Sequence, residues 1–105
     1  MGKRNLNIKQ LIRQKISGID PHAEVLLYGS RARGDNKKNS DWDILVLTDY
    51  PVDINKEKEF IDQIYEVELL TDESISVFVY SRNDWNTRQR ISPFYHNVML
   101  DGIIL

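Results

Sequence analysis

Apolar residues at Ile8, Leu11, Ile12, Ile16 and Ile19 recur at helical spacing with lysine and arginine between them, which predicts an amphipathic helix over residues 5–19. Asn5 or Asn7 is placed to cap its start, and Gly18 and Pro21 bracket its end. Glu24 to Tyr28 reads as a first strand, and Ser40 to Thr48 as a second whose run Ile44-Leu45-Val46-Leu47 is apolar on both faces and therefore central. From Asp53 or Asn55 to Leu70 the pattern returns to helical, with Phe60, Ile61, Ile64, Tyr65 and Val67 or Glu68 as the apolar stripe. Between Ser74 and Ser81 strict alternation sends Ile75, Val77 and Val79 to one side and Ser76, Phe78 and Tyr80 to the other. A short helix from Arg82 to Trp85 is capped by Ser81 or Asn83. A last helix begins at Pro93 after Ser92, with Phe94, Val98 and Met99 as its apolar face and Gly102 at its end. Ile103-Ile104-Leu105 reads as a tail packed on the core. This order predicts an α/β layer, a small sheet covered by helices, with the strand directions left open.

A chain of 105 residues is one domain, 1–105, with room for a single core. The net charge of −2 argues against a general nucleic-acid binder, although Arg82, Arg88, Arg90 and the loop lysines keep that reading in play. There are no cysteines, which removes disulfides and thiolate metal sites. No apolar run reaches the roughly 18–20 residues of a membrane span, and the N-terminus is too polar for a signal peptide. Met1-Gly2 fails as a myristoylation start because position 6 is Leu6. A cytoplasmic protein with no membrane partner is the expectation.

The chemistry gathers between Leu26 and Leu47. The first strand ends at Gly29-Ser30, where glycine permits a sharp turn and a helix N-terminus would offer free N–H groups to an anion. The polar loop Asp35–Asn39 follows, whose Lys37 and Lys38 could touch a phosphate or simply be solvated. Asp41 and Asp43 then open the second strand, two residues apart and so on one side of it, with Trp42 on the other. Adjacent carboxylates at the mouth of an apolar strand suit Mg²⁺, a hard cation usually shared with substrate phosphates.

Gly29-Ser30-Arg31-Ala32-Arg33-Gly34, followed by Ser40-Asp41-Trp42-Asp43-Ile44-Leu45-Val46, resembles the signature of the DNA polymerase beta-like nucleotidyltransferase superfamily, and in particular its small minimal nucleotidyltransferases. The resemblance implies the nucleotidyltransferase fold with a mixed sheet. It also implies Mg²⁺-dependent transfer of a nucleoside monophosphate from a nucleoside triphosphate, ATP foremost, to a hydroxyl. Asp41 and Asp43 would bridge one or two Mg²⁺ ions. Gly29, Ser30 and Ser40 would lie against the phosphates, and Arg33 and Arg31 would neutralise them, unless they form surface ion pairs with Asp35 or Asp41. Minimal members are often paired with a helical HEPN-type partner in toxin–antitoxin modules, and some modify a tyrosine of that partner.

One position departs from the pattern. Active members carry a third carboxylate on a later strand, and the position that aligns here is Ser76. Asp72 and Glu73 lie just before that strand, and Glu66 and Glu68 on the preceding helix. The departure sets a second reading beside the enzyme, a nucleotidyltransferase-like domain that masks a partner protein as an antitoxin-type binding module. Tyr80, Trp85, Phe94 and Tyr95 would then supply either the interface or part of the core.

Overall fold

The structure is a computed structural model and describes residues 7–105. Helix α1, Ile8–Ile19, starts where the Asn7 side chain accepts the Gln10 N–H at 3.2 Å; Asn5, the other cap considered, lies outside the described residues. Gly18 sits inside this helix, and Asp20 closes it by donating its N–H to the Ile16 carbonyl. The chain continues through β1 (Glu24–Tyr28), the single turn α2 (Ser30–Arg33), β2 (Trp42–Thr48), α3 (Ile54–Thr71) and β3 (Ile75–Ser81). It finishes with α4 (Arg82–Asn86), a 3₁₀ turn over Arg88–Ile91, α5 (Pro93–Asp101) and β4 (Ile103–Ile104).

The four strands form one mixed sheet in the order β3-β2-β1-β4. β1 runs antiparallel to β2 and to β4, whereas β2 and β3 are parallel, with α3 as the crossover that a parallel pair requires. β2 is central, and it is covered on both faces. Ile44 and Val46 pack with Ile12, Ile16, Phe60, Ile64 and Val67 of α1 and α3. Leu45 and Leu47 pack on the other face with Trp85 and Val98 of α4 and α5. That two-sided cover explains a strand without polar alternation.

Four expectations are corrected. Ile61 and Tyr65 are exposed, because α3 turns only the stripe Phe60, Ile64 and Val67 inward. Met99 is exposed because α5 is anchored through Val98. The Ile103-Ile104-Leu105 tail packs on the core only through Leu105; Ile103 and Ile104 pair with Leu27 and Leu26 as an edge strand with their side chains exposed. Strands β2 and β3 start later than the apolar pattern suggests, leaving Ser40, Asp41 and Ser74 outside the ladder. Tyr80, Trp85, Phe94 and Tyr95 form one packed aromatic cluster with Tyr28, in which Phe94 meets Tyr28 edge-on at a centroid distance of 5.3 Å.

Candidate functional site

The site is assembled where β1 ends and β2 begins. Tyr28, the last residue of β1, stands opposite Asp43 across the antiparallel pair. The next residue, Gly29, has φ of +78°, and a Cβ there would collide with Oδ2 of Asp43. The backbone conformation itself favours glycine, and any larger residue would also make the Asp43 carboxylate shift. The Gly29 carbonyl then accepts the N–H groups of Ala32 and Arg33, both at 3.0 Å, which winds α2 into a single turn. Gly34, at φ +89°, ends that turn in the left-handed conformation.

Asp41 is exposed and Asp43 half-buried. Among the described residues neither carboxylate forms an ion pair or accepts a hydrogen bond from a side chain or backbone amide. Partial burial, with the Asp41 charge adding to it, raises Asp43 above the ordinary carboxylate value, while Arg33 pulls it back. The same burial, together with the Asp43 charge, pushes the Tyr28 hydroxyl well up and keeps it protonated. Two hard oxygen donors that repel one another, one of them packed against Gly29, fit a divalent cation. They are two and not three. Among the described residues no group of three His, Cys, Asp or Glu side chains is close enough to hold a metal.

Ser76 pairs in register with Asp43 on the parallel neighbour β3, so the position read as the departure lies beside the aspartate. The acids considered as substitutes are engaged elsewhere. Glu66 pairs with Lys15 at 2.9 Å, Glu68 accepts the Ile75 N–H at 2.7 Å, and Asp72 closes α3 through its backbone N–H, donated to the Glu68 carbonyl. Glu73 accepts the Trp42 indole N–H at 3.1 Å.

The two arginines of the segment divide. Arg33 pairs with Asp35 at 3.1 Å and with Asp101, at the end of α5, at 2.9 Å. Arg31 stacks over the Trp42 ring, 4.6 Å from its centroid, and donates to the carbonyls of Ser40 and Lys38. Trp42 alternates with Asp41 and Asp43 and so points to the opposite side of β2. Arg31 is therefore drawn behind the aspartates and not over them, an arrangement that residue spacing alone did not reveal. The Ser40 hydroxyl accepts the Lys37 N–H at 2.8 Å and so closes the loop before Asp41. Of the basic residues weighed for nucleic acid, Arg82 pairs with Asp49 and Arg88 with Asp84. A groove of about 670 Å³ runs between α1 and the β1–β4 edge, lined by Arg13, Ser17 and Ile104, and the aspartate pair takes no part in it. No helix among the described residues is long and apolar enough to cross a membrane.

Among curated proteins none matches this chain. Solved structures do. A toxin–antitoxin structure with AMP-PNP superposes with a TM-score of 0.67 at 20% identity, covering 94% of this chain and 72% of that one. A mutant of the toxin–antitoxin MntA–HpeT, with two aspartates two positions apart changed to glutamate, gives 0.65 at 19% identity, covering 94% and 72%. A protein provisionally described as a minimal nucleotidyltransferase gives 0.60 at 18% identity, covering 98% of this chain and all of that one (100%). At these identities the likeness establishes the fold, which is the small mixed sheet with helices that these proteins share. The family model of the nucleotidyltransferase domain matches residues 8–96, from the first residue of α1 into α5 and across the whole Gly29–Asp43 segment, so the chain belongs to the nucleotidyltransferase domain family.

Proposed function

We propose that this domain transfers a nucleoside monophosphate from a nucleoside triphosphate, ATP in the first instance, to a hydroxyl acceptor on a partner protein. The observation that carries the reading is the aspartate pair at the Gly29 corner, where Asp43 fills the space that the Cβ of any other residue at position 29 would occupy. Mg²⁺ held by Asp41 and Asp43 would supply positive charge to the triphosphate oxygens as negative charge builds during transfer. The Ser30 hydroxyl would bind the β- and γ-phosphates, and Arg33, at the surface beside Asp43, would add charge to the same end of the nucleotide. In the reaction the acceptor oxygen forms a bond to the α-phosphorus. The bond from that phosphorus to the bridging oxygen breaks, pyrophosphate leaves, and the acceptor proton passes to solvent, since the Ser76 hydroxyl is no base at neutral pH.

The toxin–antitoxin neighbours support a partner protein, the AMP-PNP structure supports a nucleoside triphosphate, and the mutant with two altered aspartates supports a pair of this spacing as the place to probe. A helical HEPN-type protein is the partner that the resemblance implies, and a cytoplasmic setting goes with it. A second reading has its own observation. Ser76 beside Asp43 withholds the third carboxylate, which favours a domain that binds nucleotide and masks its partner without turnover.

Calorimetric titration of ATP with Mg²⁺ into the wild type and Asp41→Ala/Asp43→Ala, followed by transfer of labelled ATP with the partner present, separates the two readings. Binding and labelling by the wild type, both lost in the double variant, support the enzyme. Binding without labelling supports the masking domain, and no binding by either protein overturns both.

A further inference from the structure

Behind the aspartates lies a group of side chains that touches every segment bearing a candidate site residue. Arg31 follows Ser30 directly, Trp42 stands between Asp41 and Asp43, and Glu73 precedes the strand that carries Ser76. The Arg31 guanidinium lies over the Trp42 ring, 4.6 Å from its centroid. It donates to the Ser40 carbonyl at 3.0 Å and the Lys38 carbonyl at 3.2 Å, and pairs with Glu73 at 3.5 Å. The same Glu73 oxygen accepts the Trp42 indole N–H at 3.1 Å. The backbone repeats the link, with the Trp42 N–H donated to the Ser74 carbonyl at 2.9 Å. The Arg31 side chain is only 14% exposed, against 46% for Arg33. A planar fork that binds two carbonyls, a ring face and a carboxylate together is fixed in a way that a lysine or a solvated arginine is not.

We infer that Arg31, Trp42 and Glu73 form a positioning clamp, which sets the distance between the Gly29–Ser30 corner and the Asp41/Asp43 pair. Arg31 is then a positioning residue and not a ligand of the triphosphate. In group transfer a displacement of about 1 Å costs roughly a hundredfold in rate, so the clamp acts on turnover more than on binding. The clamp's kinetic consequence rests on the transfer reading; its structural consequence does not.

The test uses the full chain with Arg31→Lys, Arg31→Gln, Glu73→Gln and the last two combined, each checked by thermal melting. Steady-state transfer from ATP and amide hydrogen exchange are measured on all of them. The expected result is a fall in kcat of roughly ten- to a hundredfold in both Arg31 variants, with KM within about twofold of wild type. Glu73→Gln, which keeps Trp42 an acceptor, gives a smaller fall, and the combined variant falls by less than the product of the two. Amide exchange at Gly29–Arg33 and at Trp42 rises at least about tenfold while the α3 core is unchanged. An Arg31→Lys variant that keeps kcat, beside an Arg31→Gln variant whose loss is in KM and shrinks as salt screens the wild-type contact, would make Arg31 a phosphate ligand and overturn the clamp. If the wild type transfers nothing, the transfer reading falls and exchange decides alone: faster exchange at these amides sustains the clamp, and unchanged exchange overturns it. Should Arg31→Gln fail to fold, Glu73→Gln and Arg31→Lys carry the same comparison.

Discussion

Asp43 and Ser76 stand opposite one another on adjacent parallel strands, a hydroxyl at the place from which a third carboxylate would complete the acid cluster. The pairing is fixed by the β2–β3 ladder, which runs from Trp42↔Ile75 to Thr48↔Ser81 without interruption. A change at Ser76 therefore acts on Asp43 directly.

Ser76→Asp should convert the pair into a three-carboxylate group. Affinity for a hard cation rises with ligand charge, so Mn²⁺ titration is expected to show a gain of roughly tenfold. Labelled-ATP transfer should rise with it if the third acid is what limits the rate. In the absence of metal the added like charge should lower the melting temperature, and Mn²⁺ should restore it. Unchanged Mn²⁺ affinity would show that position 76 does not share the aspartates' space.

Gly29→Ala tests the corner itself. Alanine at a φ of +78° is strained, and its Cβ would overlap the Asp43 carboxylate. The left-handed strain alone costs about 1–3 kcal/mol, and displacement of Asp43 should abolish metal-dependent ATP binding. Gly18→Ala is the control, since nothing lies within 4 Å of a Cβ there, and it should be neutral or slightly stabilising because alanine is the better helix former. Chemical denaturation and calorimetry on the two variants check both halves.

The candidate site is legible because its parts are close in sequence: Gly29-Ser30 and Asp41-Trp42-Asp43 occupy one strand–turn–strand segment. Ser76, distant in sequence, is reached only through the resemblance, which aligns it with the third carboxylate of active members. What local patterns did not carry was partnership. The sequence sets both Arg33 and Arg31 toward the triphosphate, Arg33 foremost. Only the three-dimensional approach of Trp42, Ser40 and Glu73 separates an arginine held behind the strand from one at the surface. The direction of each strand likewise depends on how the crossover α3 returns the chain, which no window of sequence contains. Ile61 and Tyr65 were placed in the apolar stripe because helical spacing admits a wide arc, whereas packing against α1 and the sheet accepts only Phe60, Ile64 and Val67.

That narrow stripe gives a stability prediction. Phe60 is 0% exposed in the core between α3 and the sheet, and Tyr65 is 56% exposed one turn further on. Phe60→Ala should cost about 3–5 kcal/mol through lost burial and the cavity left behind. Tyr65→Ala should stay within about 0.5 kcal/mol of wild type. Urea unfolding of the two variants decides whether α3 presents the face described; comparable losses would mean that Tyr65 is covered.

Asp43 gives the pH prediction. Its folded value is raised, first by burial and then by the Asp41 charge, so the native state holds this proton more tightly than the unfolded chain does. Stability then falls as pH rises from the ordinary carboxylate value of 3.8 up through the raised one, and the penalty is fully present above it. Asp43→Asn removes the charge and keeps the shape. At neutral pH and without metal it should melt at a higher temperature than wild type, and below the ordinary carboxylate range that advantage should vanish. Added Mn²⁺ reverses the order, because a cation bound to the aspartate pair stabilises only the protein that retains both acids. Melting curves with and without Mn²⁺ across this range give the answer. An Asn variant less stable than wild type in the absence of metal would show that the Asp43 carboxylate makes a favourable contact in the fold, and would remove the strain argument for a cation at this corner.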